Sequence, residues 1–316
     1  MRVVFVGSTR FGLRCLEAIS NLDDVDIVGV ITNPESFKIS YSPQGVRNVL
    51  HADFSNWADV REVSCYTMKE NMSEQALKSW LERNNPELLI VVGWYHIIPK
   101  HIRNICPVVG LHASLLPDYS GGAPLVWAII NGERQTGITL FQLSDGVDNG
   151  PILGQVAEII KSDDTIATLY ERIENLGIHL LMRYLPELAN GTATFRRQDE
   201  DRRRIFPQRR PEDGKIDWTL SARRIHDFIR AQTKPYPGAF TFFREDKIYL
   251  RDSRILDTEN STPAPGQIRP MLEGIVIGCG DGKTIKVSRV GLGPLEVSAT
   301  VWAIEQGMRH GERFYG

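Results

Sequence analysis

The first half of the chain alternates short apolar runs with longer amphipathic stretches. Continuous apolar runs occur at residues 3–6, 27–31, 88–92 and 108–111, and such runs are typical of parallel strands covered by helices on both faces. Apolar positions at helical spacing lie between them, most clearly over residues 73–83. This order predicts an α/β, doubly wound, Rossmann-like domain with a mostly parallel sheet.

Two further strand-like segments follow at residues 136–143 and 152–160, with a loop rich in Gly and Asp between them. Residues 165–188 then carry a long amphipathic pattern, which predicts a helix that closes the domain. The first domain is therefore predicted to span residues 1–200.

The remainder of the chain differs in composition and in the pattern of its apolar runs. Residues 195–214 are dense in Arg, Asp and Glu and poor in apolar residues, which is typical of an exposed linker. A short helix is predicted near residues 221–232. Alternating apolar runs separated by Pro and Gly follow at residues 239–243, 248–256, 274–278 and 284–290. Residues 201–316 are thus predicted to form a linker and a small β-rich, barrel-like C-terminal domain.

Composition narrows the class of protein. The chain has 316 residues, is 42% hydrophobic and 24% charged, and carries a formal net charge of -2. This balance argues against a nucleic-acid partner, because phosphate binding usually rests on an excess of clustered Lys and Arg. No apolar stretch is long enough to span a bilayer, and the first residues lead into a strand pattern. A cytoplasmic location with no membrane partner is expected.

The cysteines give no sign of a metal site or of a disulfide framework. The chain contains Cys15, Cys65, Cys106 and Cys279, which are far apart and form no CxxC pair. Paired or clustered spacing is what zinc sites and disulfide scaffolds require. No metal is predicted.

Polar loops follow several of the predicted strands, and ligands of open α/β sheets bind where such loops meet. The first loop, residues 7–12, lacks the glycine spacing of a dinucleotide motif and the Lys-Ser/Thr of a phosphate loop. The Gly-rich loop 110–124 places His112 directly after a buried strand. The loop 144–150, which contains Asp148, also follows a predicted strand. The two loops are expected to converge.

These two loops carry a resemblance to a known family. His112-Ala-Ser-Leu-Leu-Pro, a Gly-rich loop ending in Ala-Pro, and Asp145-Gly-Val-Asp-Asn-Gly resemble the motifs of the folate-dependent formyltransferases. The likeness covers nearly the whole chain, including residues 136–140 and 235–240. Glycinamide ribonucleotide formyltransferases fit poorly because they lack a C-terminal domain. The resemblance implies a methionyl-tRNA formyltransferase-like fold and formyl transfer from 10-formyltetrahydrofolate to an amine.

The resemblance also implies catalytic roles. An amine attacks a formyl carbon through a tetrahedral intermediate, so the site needs a proton acceptor and a donor for the developing oxyanion. His112 matches the family histidine and would accept the amine proton or donate to the oxyanion. Asp148 matches the family aspartate and would orient the imidazole and stabilise its charged form.

Two positions depart from the family pattern. Gly110 stands where the family has Asn, and the loss of one oxyanion donor costs on the order of 100 to 1000-fold in rate. Asn149, His96 or a water molecule are candidates to replace that donor. Ser120 stands where Arg is frequent in the family, which removes a polar contact expected toward the folate.

By the same resemblance, two segments line the folate pocket. A flat heterocycle read by main-chain groups requires irregular backbone at strand ends, and both segments supply it. The residues implied in folate binding are His96, Ile97, Ile98, Asp145, Gly146, Val147 and Asp148.

The acceptor amine is predicted from the differences between branches of the family. Methionyl-tRNA formyltransferases typically carry a long basic insertion after the second strand, whereas residues 31–40 are short and nearly neutral here. The tryptophan at position 127 is more similar to the sugar-modifying members. The preferred acceptor is a UDP- or dTDP-linked 4-amino-4,6-dideoxyhexose, for example in pseudaminic-type sugar biosynthesis. The residues expected to contact this substrate are Arg10, Phe11, Trp127, Arg209 and Arg210.

Two alternatives stay open. The first is a methionyl-tRNA formyltransferase, in which tRNA would be the partner. The second is a catalytically altered folate- or nucleotide-binding protein, and Gly110 would mark that loss of chemistry.

Overall fold

The computed structural model describes residues 1–39, 42–256, 263–293 and 295–316. Ser40, the last residue of the short segment that argued against a tRNA partner, lies outside the described residues. The chain folds into two compact units. The first unit comprises Met1–Gly121, Thr136–Ile159 and Glu171–Phe206, and the second comprises Gly122–Gln135, Ile160–Tyr170 and Pro207–Gly316. The domain boundary after residue 200 stays a prediction, because each unit is assembled from separate stretches.

The helices and strands alternate in the first half of the chain. They are β1 (Arg2–Val6), α1 (Arg10–Ile19), β2 (Asp26–Thr32), β3 (Ser36–Ile39), β4 (Ser42–Arg47), α2 (Phe54–Val60), β5 (Ser64–Thr67), α3 (Gln75–Asn84), β6 (Leu88–Val91), α4 (Lys100–Arg103), β7 (Val108–His112), β8 (Ser120–Gly121), α5 (Pro124–Ile130), β9 (Gln135–Gln142), β10 (Ile152–Ile159), α6 (Ile166–Ala189) and β11 (Ile205–Phe206). Helix α5 belongs to the second unit, and the other elements up to β11 lie in the first unit except for the first residue of β9 and the start of α6.

One seven-stranded sheet organises the first unit, in the order β10-β9-β7-β6-β1-β2-β5. β1 pairs in parallel with β2 and β6, β2 with β5, and β6 with β7, whereas β9 runs antiparallel to β7. The predicted mostly parallel, doubly wound sheet is confirmed. The chain builds outward from β1 through β2 to β5 and then crosses to β6 and β7. The carboxyl ends of β1 and β6 therefore flank the switch point at which open α/β sheets bind ligands.

The switch point is tightly packed. Residues 3–6 of β1 are fully buried, as expected for a strand with helices on both faces. Thr9 caps α1, because its Oγ1 accepts a hydrogen bond from Gly12 N at 3.2 Å. A Cβ atom at Gly7 would lie 2.8 Å from the Val92 carbonyl oxygen, so only glycine lets these two strand ends approach so closely.

The second unit is rich in antiparallel strands. Its remaining elements are α7 (Ala222–Arg230), β12 (Ala239–Phe243), β13 (Asp246–Leu250), β14 (Arg254–Leu256), β15 (Ile268–Met271), β16 (Gly274–Gly278), β17 (Thr284–Val287), β18 (Arg289–Leu292), β19 (Leu295–Ser298), α8 (Ala299–Glu305) and β20 (Phe314–Tyr315). They form sheets in the orders β19-β18-β13-β12-β20 and β14-β17-β16-β15. The predicted small β-rich domain is confirmed. The apolar run 248–256 is divided between β13 and β14, because Asp252 turns away to accept hydrogen bonds from Ser288 N and Arg289 N.

Within the described residues, no helix is both long enough and apolar enough to cross a bilayer.

The loop that follows β7 is anchored to β9 by a buried hydroxyl. Thr139 is fully buried, and its Oγ1 donates to Ser114 O at 2.6 Å. The same oxygen accepts from Leu116 N at 3.2 Å and from Gln155 Nε2 at 2.9 Å. One hydroxyl therefore fixes the backbone of the loop on both sides of Leu115.

Thr139→Val tests this anchor. The substitution keeps the shape of the side chain but leaves buried polar groups without partners, so we expect the free energy of unfolding to fall by about 2–4 kcal/mol. Urea unfolding monitored by circular dichroism measures the loss. Thr67→Val, at an exposed position on the edge strand β5, is the matched control and should change stability by less than about 0.5 kcal/mol. Equal effects of the two substitutions would show that the Thr139 hydroxyl is not an anchor.

Candidate active site

His112 is the last residue of β7, and its ring is fixed by the backbone of the loop that follows. Its Nε2 lies 2.8 Å from the carbonyl oxygen of Tyr119. Because a carbonyl oxygen only accepts, Nε2 carries the proton and donates it to this bond. Nδ1 is therefore the unprotonated nitrogen of the neutral ring. It faces Asp148 Oδ2 at 3.6 Å, and the histidine side chain is only 11% exposed.

Asp148 comes from the loop between β9 and β10 and is held from two sides. Gly121 N donates to its Oδ2 at 2.8 Å. Gln198 Nε2 donates to the carbonyl oxygens of Asp148 and Gly150, both at 2.7 Å. The Asp148 backbone adopts φ 50°, a left-handed conformation that Asp tolerates better than most residues. The two loops that the sequence predicts to converge do meet, and they meet through these two side chains.

The carbonyl group that positions His112 is itself well supported. The Tyr119 ring stacks on Phe206 with centroids 4.5 Å apart. Arg204 lies 4.8 Å above the same ring and donates from Nε to Asp118 Oδ1 at 2.6 Å. The next residue, Ser120, is buried and donates from its hydroxyl to Pro117 O at 3.1 Å. Ser120 therefore serves the loop itself, at the position where the family often has Arg.

The missing side chain at Gly110 leaves no empty space. Residues two apart on a strand share a face, so a side chain at position 110 would start on the same face as His112. A Cβ atom there would lie 2.9 Å from Leu143 Cδ1 and 3.2 Å from the Val91 carbonyl oxygen. The end of the Leu143 side chain thus lies against the position that a Cβ atom would take. Of the predicted substitutes, the Asn149 side chain accepts a hydrogen bond from Ser144 Oγ.

The two segments predicted to bind folate are tied together by Arg103, the last residue of α4. Its Nε donates to Ile98 O at 3.1 Å, and its Nη2 pairs with Asp145. Lys100 Nζ is 3.8 Å from the same carboxylate. The Arg103 guanidinium holds the pKa of Asp145 below its usual range, with Lys100 assisting. Arg103 therefore links segments 96–98 and 145–148 to each other.

Apolar side chains of these segments face solvent. Ile97 is 86% exposed and Val147 is 49% exposed, although Ile98 is buried. Exposed apolar side chains on adjacent irregular segments are typical of a surface that a ligand covers. Gly146 has no side chain and packs against Asn149, where a Cβ atom would come within 2.4 Å of the Asn149 amide nitrogen.

Buried polar atoms without partners lie at the same edge of the sheet. Trp94 and His96 are ring neighbours, and Phe37 of β3 packs against His96. Trp94 Nε1 and His96 Nε2 are buried and have no hydrogen-bond partner. Burial lowers the pKa of His96, which favours its neutral ring. Buried polar atoms nearly always find partners in native proteins, so these atoms fit a ligand with its own donors and acceptors, such as a pterin.

Sequence reasoning missed Asn33 and Gln198. Asn33 follows β2 directly, is 1% exposed, and has no partner for either amide atom. The signal that singled out His112, a polar residue immediately after a buried strand, applies equally to Asn33. Gln198 had no such signal, because it lies in the charged segment 195–214 that the sequence predicts as a linker.

The residues predicted to contact the acceptor are placed as follows. Arg10 is exposed in the first turn of α1. Phe11 is half-buried and packs on α6, where a Cβ atom at Gly177 would be 2.7 Å from Phe11 Cζ. The structure does not assign either residue a ligand, so their role stays a prediction.

Trp127, Arg209 and Arg210 belong to the second unit. Trp127 Nε1 donates to Pro207 O at 2.9 Å, and the Arg209 guanidinium lies 4.8 Å from the Trp127 ring centroid. Arg209 also donates to Asp213 O at 2.6 Å and to Gln232 Oε1 at 2.8 Å. The backbone N–H of Arg210 donates to Asp213 Oδ2, and its side chain is exposed. The Arg209 guanidinium thus lies over the Trp127 ring in the second unit.

A metal centre finds no support in the described part of the chain, where no three His, Cys, Asp or Glu side chains are grouped to hold an ion. The described site places an imidazole between a backbone carbonyl oxygen and a carboxylate, at the ligand-binding edge of a doubly wound sheet. An imidazole beside a carboxylate is an arrangement that can accept and donate a proton.

Comparisons with known proteins identify the family. The formyl transferase model matches residues 1–185, and the formyl transferase C-terminal domain model matches residues 209–303. The methionyl-tRNA formyltransferase of Anaeromyxobacter dehalogenans strain 2CP-1 is 33% identical over 298 residues, which are 92% of each chain. The chain belongs to the formyl transferase family. The predicted family and enzyme class are confirmed.

Solved structures agree on the fold. The N-formyltransferase from Helicobacter canadensis, in complex with folinic acid and dTDP-3-aminofucose, has a TM-score of 0.65 at 19% identity over 90% of this chain and 98% of that one. HypX from Aquifex aeolicus, in complex with tetrahydrofolic acid, has a TM-score of 0.65 at 17% identity over 99% of this chain. The chain spans about half the length of HypX, 48% of it.

The protonation of His112 is directly testable. In the neutral ring, Nε2 should carry the proton and Nδ1 should not, because Nε2 donates to a carbonyl oxygen. Nitrogen-15 NMR of the labelled protein at about pH 9, where unperturbed imidazoles are neutral, distinguishes the two tautomers. The His112 signals are assigned from their loss in His112→Gln. A proton on Nδ1 would contradict the arrangement, since that nitrogen would then be a donor to Asp148.

Proposed function

We propose that this chain transfers a formyl group from 10-formyltetrahydrofolate to the primary amine of a nucleotide-linked amino sugar. The observation that carries the proposal is the contact between His112 Nδ1 and Asp148 Oδ2 at 3.6 Å, at the edge of the sheet where ligands bind. The folate supplies the formyl carbon that the amine attacks. The formyl carbon exchanges its bond to the folate nitrogen for a bond to the amine, so the amine must lose one proton and the departing folate nitrogen must gain one.

The residues of the chain account for that proton. Nδ1 of the neutral His112 ring has a free lone pair and accepts it, while the bond from Nε2 to Tyr119 O keeps the ring oriented. The resulting imidazolium is stabilised by the Asp148 carboxylate, which Gly121 N fixes in place. Nδ1–H then becomes a charged donor beside the reacting centre. It passes this proton to the folate nitrogen as the bond to the formyl carbon breaks, whereas Gly110 offers no side-chain donor to the developing oxyanion.

The folate assignment rests on the edge formed by segments 96–98 and 145–148. Exposed Ile97 and Val147 supply apolar contact area, and His96 Nε2 and Trp94 Nε1 supply unused polar atoms. Arg103 keeps the two segments in one arrangement. Solved relatives of the same fold were crystallised with folinic acid or tetrahydrofolic acid, which supports a folate at this edge.

The amino-sugar assignment rests on the segment that follows β2 and on the structural relatives. The hairpin of β3 and β4 is short, and Arg47, its last residue, is paired with Glu35 at 2.9 Å. It therefore offers little positive charge for tracking phosphates along a tRNA. The Helicobacter canadensis enzyme was solved with a dTDP-linked amino sugar and covers nearly the same length of chain. A UDP- or dTDP-linked 4-amino-4,6-dideoxyhexose is the preferred acceptor, with 3-amino sugars as the nearest variant.

A second candidate is formylation of methionyl-tRNA. Sequence identity favours it, since methionyl-tRNA formyltransferases reach 33% identity over 92% of the chain. Both candidates use the same His112–Asp148 pair, so they differ only in the amine that is brought to it.

Formyl transfer assays with one set of variants test the proposal. Wild-type protein is given 10-formyltetrahydrofolate with UDP- and dTDP-linked 4-amino and 3-amino sugars and, separately, with methionyl-tRNA. His112→Gln and Asp148→Asn should each lower the rate by about 100-fold or more, because each removes one half of the proton acceptor. His179→Gln and Asp59→Asn, at exposed positions of α6 and α2, are matched controls and should retain full activity.

The possible outcomes separate the alternatives. Turnover on a nucleotide sugar that is lost in both variants supports the proposal, and turnover on methionyl-tRNA alone establishes the second candidate. Full activity of His112→Gln would overturn the assigned role of the pair. Folate binding without turnover on any amine would show that the chain is a binding protein in which Gly110 marks the lost chemistry.

A further inference from the structure

The second unit contains a cavity that the formyl-transfer chemistry does not use. Its volume is about 440 Å³, within the range of small-molecule pockets. It lies between α7, the segment that precedes α6, the turn between β13 and β14, and the first residue of β18. All of its lining residues belong to the second unit.

The lining is positively charged. Five arginines and one histidine line the cavity, against three aspartates. Two of the aspartates already accept hydrogen bonds from the protein. Asp164 accepts from Lys161 N at 2.7 Å and from Thr168 Oγ1 at 2.9 Å, and Asp252 accepts from Ser288 N at 2.8 Å. The cavity therefore presents an excess of cationic donors.

Three of the arginines are already paired with carboxylates of the protein. Arg230 is buried, and it donates from Nε to Asp227 at 2.6 Å and from Nη1 to Asp164 O at 2.8 Å. Arg223 donates to the second oxygen of Asp227 at 2.9 Å. A third arginine, Arg289, pairs with Glu296 at 2.9 Å. These ion pairs hold one wall of the cavity and the start of β18.

Arg251 and Arg254 are different, because they have unused donors. Arg251 donates from Nη1 to Pro237 O at 2.6 Å, but its Nε is buried and has no acceptor. The Arg254 side chain makes no ion pair or hydrogen bond within the described residues and is exposed. A buried charged donor without an acceptor is costly, and its retention calls for an explanation.

The backbone around Arg251 leaves room for its guanidinium. A Cβ atom at Gly291 would lie 2.5 Å from both Nε and Nη2 of Arg251. A Cβ atom at Gly238 would lie 2.8 Å from Nη1, and Gly238 also has φ +111°, which few other residues adopt. Two glycines thus let the guanidinium lie flat against the main chain. This placement fixes a planar donor in the turn that leads to β14, which begins at Arg254.

We propose that this cavity binds a small molecule through a phosphate or diphosphate group, with Arg251 and Arg254 as its principal contacts. Guanidinium groups match phosphate oxygens with paired, charge-assisted hydrogen bonds. Ser253 lies between the two arginines, and its hydroxyl is bonded to His226 Nδ1 at 2.9 Å, which adds polar groups beside the proposed contacts. A concave pocket of this volume favours a small ligand over the phosphate backbone of an RNA.

Calorimetric titration of the full-length protein tests this site. The probes are inorganic phosphate, inorganic pyrophosphate, glucose 1-phosphate and UMP, whose relative affinities distinguish a free phosphate, a sugar phosphate and a nucleotide as the source. At least one probe should bind saturably with one site per chain. Arg254→Gln and Arg251→Gln should each weaken that binding about tenfold or more. Gly291→Ala should weaken it without removing a charge, because it displaces the Arg251 guanidinium.

The control variant is Arg224→Gln, an exposed arginine of α7 that does not line the cavity. It should leave the affinity within about twofold of wild type, since surface charges contribute little. Arg254→Gln keeps the test decisive if the Arg251 variant unfolds, because Arg254 supports no other described residue. His112→Gln should bind the probes as wild type does, which separates this cavity from the formyl-transfer site.

Three results would overturn the proposal. The first is the absence of saturable binding for all four probes. The second is binding that persists unchanged in Arg254→Gln and in a folded Arg251→Gln, or that falls equally in Arg224→Gln. The third is binding of tRNA, but of none of the small phosphates, that is lost in Arg254→Gln and falls steeply with salt. That result would make the arginines part of an RNA-binding face.

Discussion

The hydrogen bond from His112 Nε2 to the Tyr119 carbonyl oxygen is the constraint on which the proposed chemistry depends. It selects one tautomer, and that choice leaves Nδ1 unprotonated toward Asp148. The loop can offer this carbonyl because Thr139 anchors its start and the stacked Tyr119 and Phe206 rings hold its end. Proton acceptance at His112 therefore follows from how the backbone after β7 is folded, as much as from the histidine itself.

The topology of the sheet explains why this pair and the proposed folate edge are found in the same unit. Strand order reverses between β1 and β6, and glycines at the strand ends permit the close approach of the chain there. Irregular segments with unused polar atoms follow β2 and β6, and Arg103 connects one of them to the loop that carries Asp148. Unsatisfied polar atoms of Asn33, Trp94 and His96 thus lie where an open α/β sheet binds ligands.

The sequence predicted the features that depend on local pattern. Buried parallel strands read as continuous apolar runs, so β1, β2, β6 and β7 were all expected, and so was the convergence of the loops carrying His112 and Asp148. Contacts between distant segments could not be predicted from local sequence pattern. Gln198 supports Asp148 across 50 residues of chain, and Leu143 fills the room beside Gly110. Stacking of Arg209 on Trp127 likewise depends on packing that residue spacing does not encode. The break between β13 and β14 arises from the hydrogen bonds of one side chain, Asp252.

The central claim is that His112 and Asp148 act as one proton-accepting unit, and a double-mutant cycle on formyl transfer measures this directly. Rates are compared for wild type, His112→Gln, Asp148→Asn and the double variant with the same acceptor. If the two residues act together, adding Asp148→Asn to His112→Gln should lower the rate by less than about threefold, because the unit is already lost. If instead the two losses multiply, the residues act independently and the account is wrong.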